Sequence, residues 1–406
     1  MIDVELARDL PSGEAFRRAG ERGLIVSSHS ITKVGRAEWN RLVHEVAREE
    51  TIRKVVVPAT MGQALSEFIP SLPPPGESPL VALTTGPSGP LLRAWSKRLG
   101  FPLVYAALPE RFDDTSPHPV ETSQIPVDRL RPFLEAEGSP PLFAVVGHPV
   151  GHSRSPTLHA RWMRERGDVG LYLALDYESD PELVDSLPAL VDGGFRGLNI
   201  THPFKQVAFE LADRIGPGAQ ACGVANVLSL GHDGAEAENT DLVAALRRLD
   251  ELRESAHWDG TSLGVIGAGG AARASLAAAR SQGVESYVWA RRPEDSKGLA
   301  REFGAHAVDD AKSAHPTLVV HATPVGRSAE RSGSMPAPGW LRSGVYVLDW
   351  VYTPEEPIVR LAAERVGATY EDGSRLLVYQ AAASYGIWWD EEPSAEQVSR
   401  ALEEVV

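Results

Sequence analysis

Short apolar runs recur along the chain and alternate with longer stretches in which apolar and polar positions mix at helical spacing. In the first third the runs are LIVSS (24–28), KVVVPA (54–59), LVALTT (80–85) and PLVYAAL (102–108), with a helix-like GRAEWNRLVHEVAREE (35–50) between the first two. Such alternation predicts β/α units around a parallel sheet. Residues 109–141 break the pattern: rich in Pro, Ser and acidic side chains, they hold one short apolar piece, VDRLRPFL, and predict a closing helix and a linker. The pattern then restarts with LFAVVG (142–147), FRGLNI (195–200), SLGVIG (262–267), SYVWA (286–290), TLVVHA (317–322) and VYVLDW (345–350), which predicts a second α/β region. Neither an internal repeat nor a heptad array is present, so solenoids and coiled coils drop out.

At 406 residues the chain has room for roughly two or three domains, each able to bury a core. Its 43% hydrophobic and 23% charged residues are those of an ordinary folded protein. The net charge of -15 repels nucleic acid and anionic membranes, so an anionic ligand must be held by local cations. Cys222 is the only cysteine, which excludes an intramolecular disulfide and fits a reducing compartment; by default it is a small buried hydrophobe. The opening MIDVELARDL lacks a basic stretch followed by an apolar run, and no later stretch reaches about 18 uninterrupted apolar residues. These features predict a soluble cytoplasmic protein with neither a nucleic-acid nor a membrane partner. No metal site is expected.

After the strand-like SLGVIG the chain runs Gly267-Ala268-Gly269-Gly270-Ala271-Ala272-Arg273 and enters a helix-like stretch. This is G-x-G-x-x-A between strand and helix, the context in which the pattern signals a dinucleotide. Gly267 permits the tight turn, Gly269 lets backbone N–H groups approach a pyrophosphate, and Ala272 allows close helix packing. The plainer alternative is a glycine turn that merely ends a strand. The next strand-like run ends at Ala290 and is followed by Arg291 and Arg292. An acidic residue there would meet a free ribose 2′-hydroxyl, whereas two arginines favour the 2′-phosphate of NADP. The alternative is a pair of solvated loop residues, with Glu294 and Asp295 close by.

Four polar motifs precede this unit: Gly151-His-Ser153-Arg-Ser155-Pro156, Asn199-Ile-Thr201-His-Pro203-Phe-Lys205, Gly223-Val-Ala-Asn226 and Asn239-Thr240-Asp241. Asp349-Trp-Val-Tyr352 and Gly373-Ser-Arg-Leu-Leu-Val-Tyr-Gln380 follow it. From Leu142 onward this ordered set closely resembles shikimate dehydrogenase. The resemblance implies a substrate-binding domain over 142–246 that regains 374–406, and a Rossmann NADP-binding domain over 247–373, with substrate in the cleft between them. It implies that Ser153 and Ser155 bind the substrate carboxylate, and that Thr201, Asn226, Asp241 and Gln380 bond the ring hydroxyls. Tyr352 is a further substrate contact, and Lys205 and Asp241 are the catalytic pair. Gly267, Ala268, Gly269, Gly270, Ala271, Arg291, Arg292, Thr323 and Gly373 are placed at the cofactor. Taken singly, a Ser-x-Ser is a helix cap or turn and a lysine a solvated charge; Ser155-Pro156 suits a helix start. The chain departs from the family at His321-Ala-Thr323, where the family has Asn-Ala-Thr, at Asn226-Val227 for Asn-Thr, and at Ala290 for Asn. The segment Thr201-His-Pro-Phe-Lys205-Gln206 is also similar to the quinate/shikimate dehydrogenase branch, which leaves quinate as an alternative substrate.

Residues 1–135 resemble the later part of a type I 3-dehydroquinate dehydratase, a TIM barrel. Ser27-Ser-His29 falls at the family's catalytic histidine, Ile52-Arg-Lys54 at its Schiff-base lysine, and Arg93 at a carboxylate-binding arginine. Ser123-Gln124 falls at the closing loop. Each follows a strand's C-terminal end, where barrel enzymes keep their sites. If MIDVEL is the family's fourth strand, three β/α units are missing and about five of eight strands remain. The family's His-Asp-Phe is His29-Ser-Ile and its Thr-Pro is Val34-Gly35. An open parallel sheet is unstable alone, so this part must pair with another copy, pack on the dehydrogenase, or reflect a mis-assigned start. The expectation is weak or absent dehydratase activity. The whole is a partial TIM-type barrel followed by a two-domain dehydrogenase. Its rivals are a bifunctional dehydratase and dehydrogenase and a non-catalytic NADP-sensing or scaffold protein.

Overall fold

The computed structural model describes residues 2–5, 24–44, 51–108, 124–309, 314–326, 336, 338–352 and 358–405. Two compact units result, Met1–Thr201 and His202–Val406. Among the described residues no helix is long and apolar enough to cross a membrane. Ser123 and the linker residues 109–122 lie outside the described residues, as do 45–50 of the expected first helix.

In the first unit, parallel strands β1 (Ile2–Glu5), β2 (Leu24–His29), β3 (Thr51–Pro58) and β4 (Leu80–Thr85) lie side by side in chain order. Partners on neighbouring strands share a face, and alternation sorts each strand's residues between two faces. Val55, Val57, Leu80 and Ala82 point to one face and meet Trp39, Leu42 and Val43 of α1 (Arg36–His44), together with Phe68. Trp39 stacks on Phe68 with centroids 4.3 Å apart and donates its Nε1–H to Phe68 O. The other face carries Ser27, His29, Lys54, Val56, Val81 and Leu83.

The expected strand over 102–108 does not form. Only Ala107 pairs, as an isolated bridge with Pro126: its N–H donates to Ile125 O at 2.9 Å and its carbonyl accepts from Val127 N at 2.9 Å. The carbonyl of Tyr105 accepts from Arg93 Nε of α2 (Gly89–Ala94) at 3.2 Å, which ties this segment to the turn after β4 through a side chain. The predicted closing helix is α3 (Val127–Glu135).

The same unit continues with parallel strands β5 (Leu142–Gly147), β6 (Leu171–Asp176) and β7 (Phe195–Ile200) in the order β6-β5-β7, with helices α4 (Ser155–Arg166) and α5 (Asp180–Asp192) between them. The front sheet is not left open, because its helical side packs on this layer. Trp95 sets its ring edge-on to Phe195 at 6.3 Å, Gly62 N–H donates to the Glu182 carboxylate, and Arg98 donates to Asp192 O at 2.6 Å. Packing on the dehydrogenase-like part is one of the three ways to stabilise that sheet, and these contacts supply it.

In the second unit α6 (Lys205–Leu211), the short β8 (Arg214–Ile215) and α7 (Pro217–Cys222) lead into a hairpin of β9 (Val227–Gly231) and β10 (Gly234–Glu238). Helix α8 (Thr240–Glu254) follows. A six-stranded parallel sheet comes next, built from β11 (Ser262–Ile266), β12 (Glu285–Trp289), β13 (His306–Ala307), β14 (Leu318–His321), β15 (Tyr346–Asp349) and β16 (Thr369–Glu371). Its order, β13-β12-β11-β14-β15-β16, reverses beside β11, the topological switch point at which such sheets bind nucleotides. Helices α9 (Gly270–Ser281), α10 (Pro293–Phe303) and α11 (Ile358–Val366) connect the strands. The central strands β11, β14 and β15 are buried along their whole length because a parallel sheet is covered on both faces. Helix α12 (Ser374–Trp389) is apolar nearly all round and buried against α8, and α13 (Ala395–Val405) closes the chain.

Candidate active site

Lys205 opens α6 and Asp241 stands in the first turn of α8, 36 positions on, where the helix dipole favours a carboxylate. The Lys205 ammonium donates to Asp241 Oδ2 in a short bond, and both side chains are largely buried. Asp241 Oδ1 accepts from Asn226 Nδ2 at 3.0 Å. Asn226 is held in turn by Thr240, whose N–H donates to Asn226 Oδ1 at 2.7 Å. The Thr240 hydroxyl meets Ser384 Oγ at 3.0 Å, which ties the site to α12. Asn239 caps α8 and donates Nδ2 to Val224 O at 2.8 Å, so the loop that carries Asn226 is pinned from both sides. Thr240 and Ser384 are functional neighbours that pattern and spacing do not single out. Thr240 lies inside one of the polar motifs, whereas Ser384 carries no sequence signal.

Gln380, one turn before Ser384 on α12, is buried, with Nε2 donating to Leu377 O at 2.8 Å. Tyr352 is half-buried just after β15. Gly373 precedes α12; a Cβ there would lie 2.5 Å from Trp350 O, so the absent side chain lets the chain after β15 pass close. Cys222 is fully buried, and burial foremost pushes its thiol up to about 12, as expected of an inert core cysteine.

The glycine turn lies between β11 and α9. Gly267 has φ +131°, and a Cβ there would stand 2.5 Å from Ala322 O; both facts require glycine. Gly269 faces open space, with nothing within 4 Å of where its Cβ would be. Ala268 and Ala271 are half-buried and Ala272 is fully buried against the sheet. Open space over Gly269 at the N-terminus of a 12-residue helix is what a pyrophosphate needs. A Cβ on Gly270 would lie 2.6 Å from Lys205 Cδ, so the turn and the lysine are in direct contact. At the end of β12, Arg291 and Arg292 are both exposed; Arg292 Nε donates to Asp295 at 2.8 Å, and Arg291 has no partner among the described residues. These groups fit a dinucleotide with a 2′-phosphate. Thr323, after β14, packs its methyl group beside Gly267.

In the first unit, Ser155 begins α4 and its N–H donates to Ser153 Oγ at 3.3 Å. The two serines share one turn, with Ser155 buried and Ser153 half-buried. Asp176 supports that turn: it accepts from Val150 N at 3.1 Å and pairs with His148 Nδ1 at 2.6 Å. Thr201 follows β7 and donates its N–H to Val146 O at 2.8 Å. Two residues earlier, Asn199 Oδ1 accepts from Tyr172 OH at 2.7 Å, and Tyr172 stacks on His159.

His29 and Lys54 share one face of the front sheet, on adjacent strands. Lys54 is buried with Nζ 4.2 Å from the Tyr105 ring centroid, whereas His29 is exposed. Arg93 is buried and donates to the carbonyls of Thr84 at 3.0 Å, Gly89 at 2.9 Å and Tyr105 at 3.2 Å. Its guanidinium therefore braces the turn after β4.

A family model described as shikimate dehydrogenase substrate binding domain matches residues 145–228, and one described as type I 3-dehydroquinase, a TIM-barrel family, matches residues 1–140. The chain is 35% identical over 271 residues to the shikimate dehydrogenase (NADP(+)) of Ruegeria sp. (strain TM1040), covering 64% of this chain and 96% of that protein. It is 38% identical over 264 residues to that of Methylobacterium radiotolerans, covering 61% and 91%. The crystal structure of shikimate 5-dehydrogenase from Thermus thermophilus in complex with NADP(H) and shikimate matches 66% of this chain and 100% of its own, at 31% identity and a TM-score of 0.57.

Proposed function

Because this chain belongs to the shikimate dehydrogenase family, with a type I 3-dehydroquinase-like segment in front, we propose that it reduces 3-dehydroshikimate to shikimate with NADPH. The observation that carries this reading is the Lys205–Asp241–Asn226 cluster in contact with the glycine turn through Gly270. When bound at the glycine turn, NADPH would supply the hydride that the ring carbonyl carbon takes up. The carbonyl oxygen then needs a proton, and Lys205 Nζ delivers it. Asp241 holds the ammonium in place and keeps carboxylate lone pairs for the ring hydroxyls, to which Asn226 is assigned as well. Thr201, Gln380 and Tyr352 are assigned to the same ring, and Ser153 and Ser155 to its carboxylate, as short hydroxyl donors suited to an anion. Gly267, Ala268, Gly269, Gly270, Ala271, Thr323 and Gly373 are assigned to the dinucleotide, and Arg291 and Arg292 to its 2′-phosphate. The division into 142–246 with 374–406 for substrate and 247–373 for cofactor belongs to the same proposal.

Lys205→Ala tests it. Turnover falls by about 10² to 10⁴, while the dissociation constant for NADP+, read by calorimetry, stays nearly unchanged; near-normal turnover overturns the assignment. Reduced-nicotinamide absorbance with shikimate and then quinate, and with each cofactor, fixes both preferences and separates a dehydrogenase from an NADP sensor.

The match of residues 1–140 to the dehydroquinase family favours a second reading, a bifunctional enzyme in which Lys54 forms an imine with 3-dehydroquinate and His29 removes the adjacent proton. Borohydride reduction in the presence of 3-dehydroquinate tests it. A mass adduct on Lys54 establishes the chemistry, and an unmodified Lys54 leaves the front segment as a packing element.

A further inference from the structure

His321 ends β14 fully buried, and its ring joins two groups. Nδ1 lies 2.8 Å from Asp349 Oδ1, its register partner on β15, and Nε2 lies 2.6 Å from Thr323 Oγ1. The Asp349 carboxylate also accepts from Val351 N at 2.9 Å and from Tyr370 OH at 3.1 Å. Burial, then Asp349 itself, raises the Tyr370 phenol and keeps it a donor. With Val351 N–H and Tyr370 OH also donating to it, the Asp349 carboxylate takes one further hydrogen, from the ring at Nδ1. An acceptor at Nδ1 fixes the ring proton there, as the hydrogen bond at one ring nitrogen always decides the other. Nε2 is then a lone pair, and the Thr323 hydroxyl must donate its single hydrogen to it.

The Thr323 hydroxyl also accepts from Val325 N at 3.3 Å, so with its hydrogen on Nε2 it has one lone pair left for anything else. It sits beside Gly267, on the β14 side of the switch point, opposite the arginines that follow β12. In a doubly wound sheet the residues after the second strand meet the adenosine ribose, so the β14 side faces the nicotinamide half. We propose that His321 is a positioning residue that makes Thr323 an acceptor-only group, so that Thr323 takes a hydrogen bond from a donor on the nicotinamide half of the cofactor. A phosphate oxygen, which is itself an acceptor, is thereby excluded. The donors available on that half are the carboxamide NH2 and the ribose hydroxyls.

This inference rests on the cofactor assignment of the proposed function, and two measurements separate their failures. The first is the 15N spectrum of histidine-labelled protein at neutral pH, with the His321 signal assigned by its loss in His321→Asn. An unprotonated Nε2 is expected, and a protonated Nε2 overturns the proposal. The second is NADP+ affinity by calorimetry in Thr323→Ser and Thr323→Val. The serine variant keeps wild-type affinity and the valine variant loses about five-fold or more, the worth of one neutral hydrogen bond. Unchanged affinity in Thr323→Val overturns the inference, whereas a wild-type protein that binds no NADP+ overturns the cofactor assignment instead. The 3-acetylpyridine analogue of NADP+, which lacks the carboxamide NH2, identifies the donor. Binding weakened about five-fold in wild type but not in Thr323→Val points to the carboxamide. An equal five-fold effect of the valine substitution on both cofactors points to the ribose.

Discussion

At the scale of single residues, Gly270 shows how one position serves two parts of the site. It is an unspecified position of the G-x-G-x-x-A pattern, and nothing in the motif asks for glycine there. The reason is the Lys205 stem, 2.6 Å from where a Cβ would stand. Gly270→Ala should shift the lysine and lower turnover on the order of 10²-fold, with NADP+ affinity changed far less. Gly269→Ala meets no protein atom within 4 Å, so its loss should appear in NADP+ affinity, by titration calorimetry. His159 gives a pH prediction. It is fully buried, and burial lowers its pKa from 6.5 to about 3. As pH falls below 6.5 the unfolded chain gains a proton that the folded chain refuses until about pH 3, so stability is present above 6.5 and is lost as pH drops through that window. The slope is about 1.4 kcal/mol per pH unit from this one group. His159→Phe keeps the stack on Tyr172 and should flatten the urea-unfolding free energy between neutral and mildly acid pH; an unaltered slope would exclude His159 as its source. The chemical identities at this scale were legible in the sequence, because lysine, aspartate and glycine carry their chemistry wherever they sit. Their neighbours were not. Arg93 read as an anion site; what the sequence does not show is that its Nε and Nη1 also donate to the backbone carbonyls of Tyr105, Thr84 and Gly89.

At the scale of elements, α8 is the strut that joins the Lys205–Asp241 cluster to the parallel sheet of β11 to β16. Asp241 lies in its first turn, and Arg248, two turns on, forms a fork with Glu371 of β16, Nε to Oε1 at 2.8 Å and Nη2 to Oε2 at 2.6 Å. Tyr346 of β15 donates to the same carboxylate; its phenol is raised to about 12 by burial and then by Glu371. Burial works against the Arg248 charge, but the Glu371 bonds outweigh it and raise its pKa. Tyr379 of α12 donates to Glu251 at 2.6 Å and completes the brace. Arg248→Met strands Glu371 and should destabilise by about 3 kcal/mol in chemical denaturation. The double replacement Arg248→Met, Glu371→Leu should recover most of that loss; failure to recover would mean that the pair is worth more than its desolvation costs. Strand positions were readable because buried parallel strands are continuous apolar runs, and β5, β7 and β4 fall on the runs that predicted them. The run at 102–108 was equally apolar and failed as a strand, because apolar content does not show which carbonyls are already engaged.

At the scale of the whole molecule, the front segment has become part of the first compact unit. Trp95, at the end of α2, packs so closely on α5 and β7 that a Cβ on Gly193 would stand 1.9 Å from its ring. Gly193→Ala should therefore lower Tm and cost about 1–3 kcal/mol as an overpacked core does, and adding Trp95→Ala should relieve the clash while leaving its own cavity. Additive losses in the double variant would show that the two residues do not touch.

By itself the sequence determined the parallel α/β architecture, the glycine turn and the preference for a 2′-phosphate, and it pointed to the lysine and aspartate proposed for proton transfer. Period, turn chemistry and side-chain identity are local properties, written within a few residues of one another. The tertiary structure alone decided that Ser384 braces Thr240, that Asp349 and Thr323 meet through His321, that Gly270 must leave room for Lys205, and that the front sheet is covered by the layer of residues 142–201. Each of these joins parts of the chain that pattern reading treats separately, and what fixes it is the cost of leaving a buried polar group unpaired or a packed surface ill-fitted.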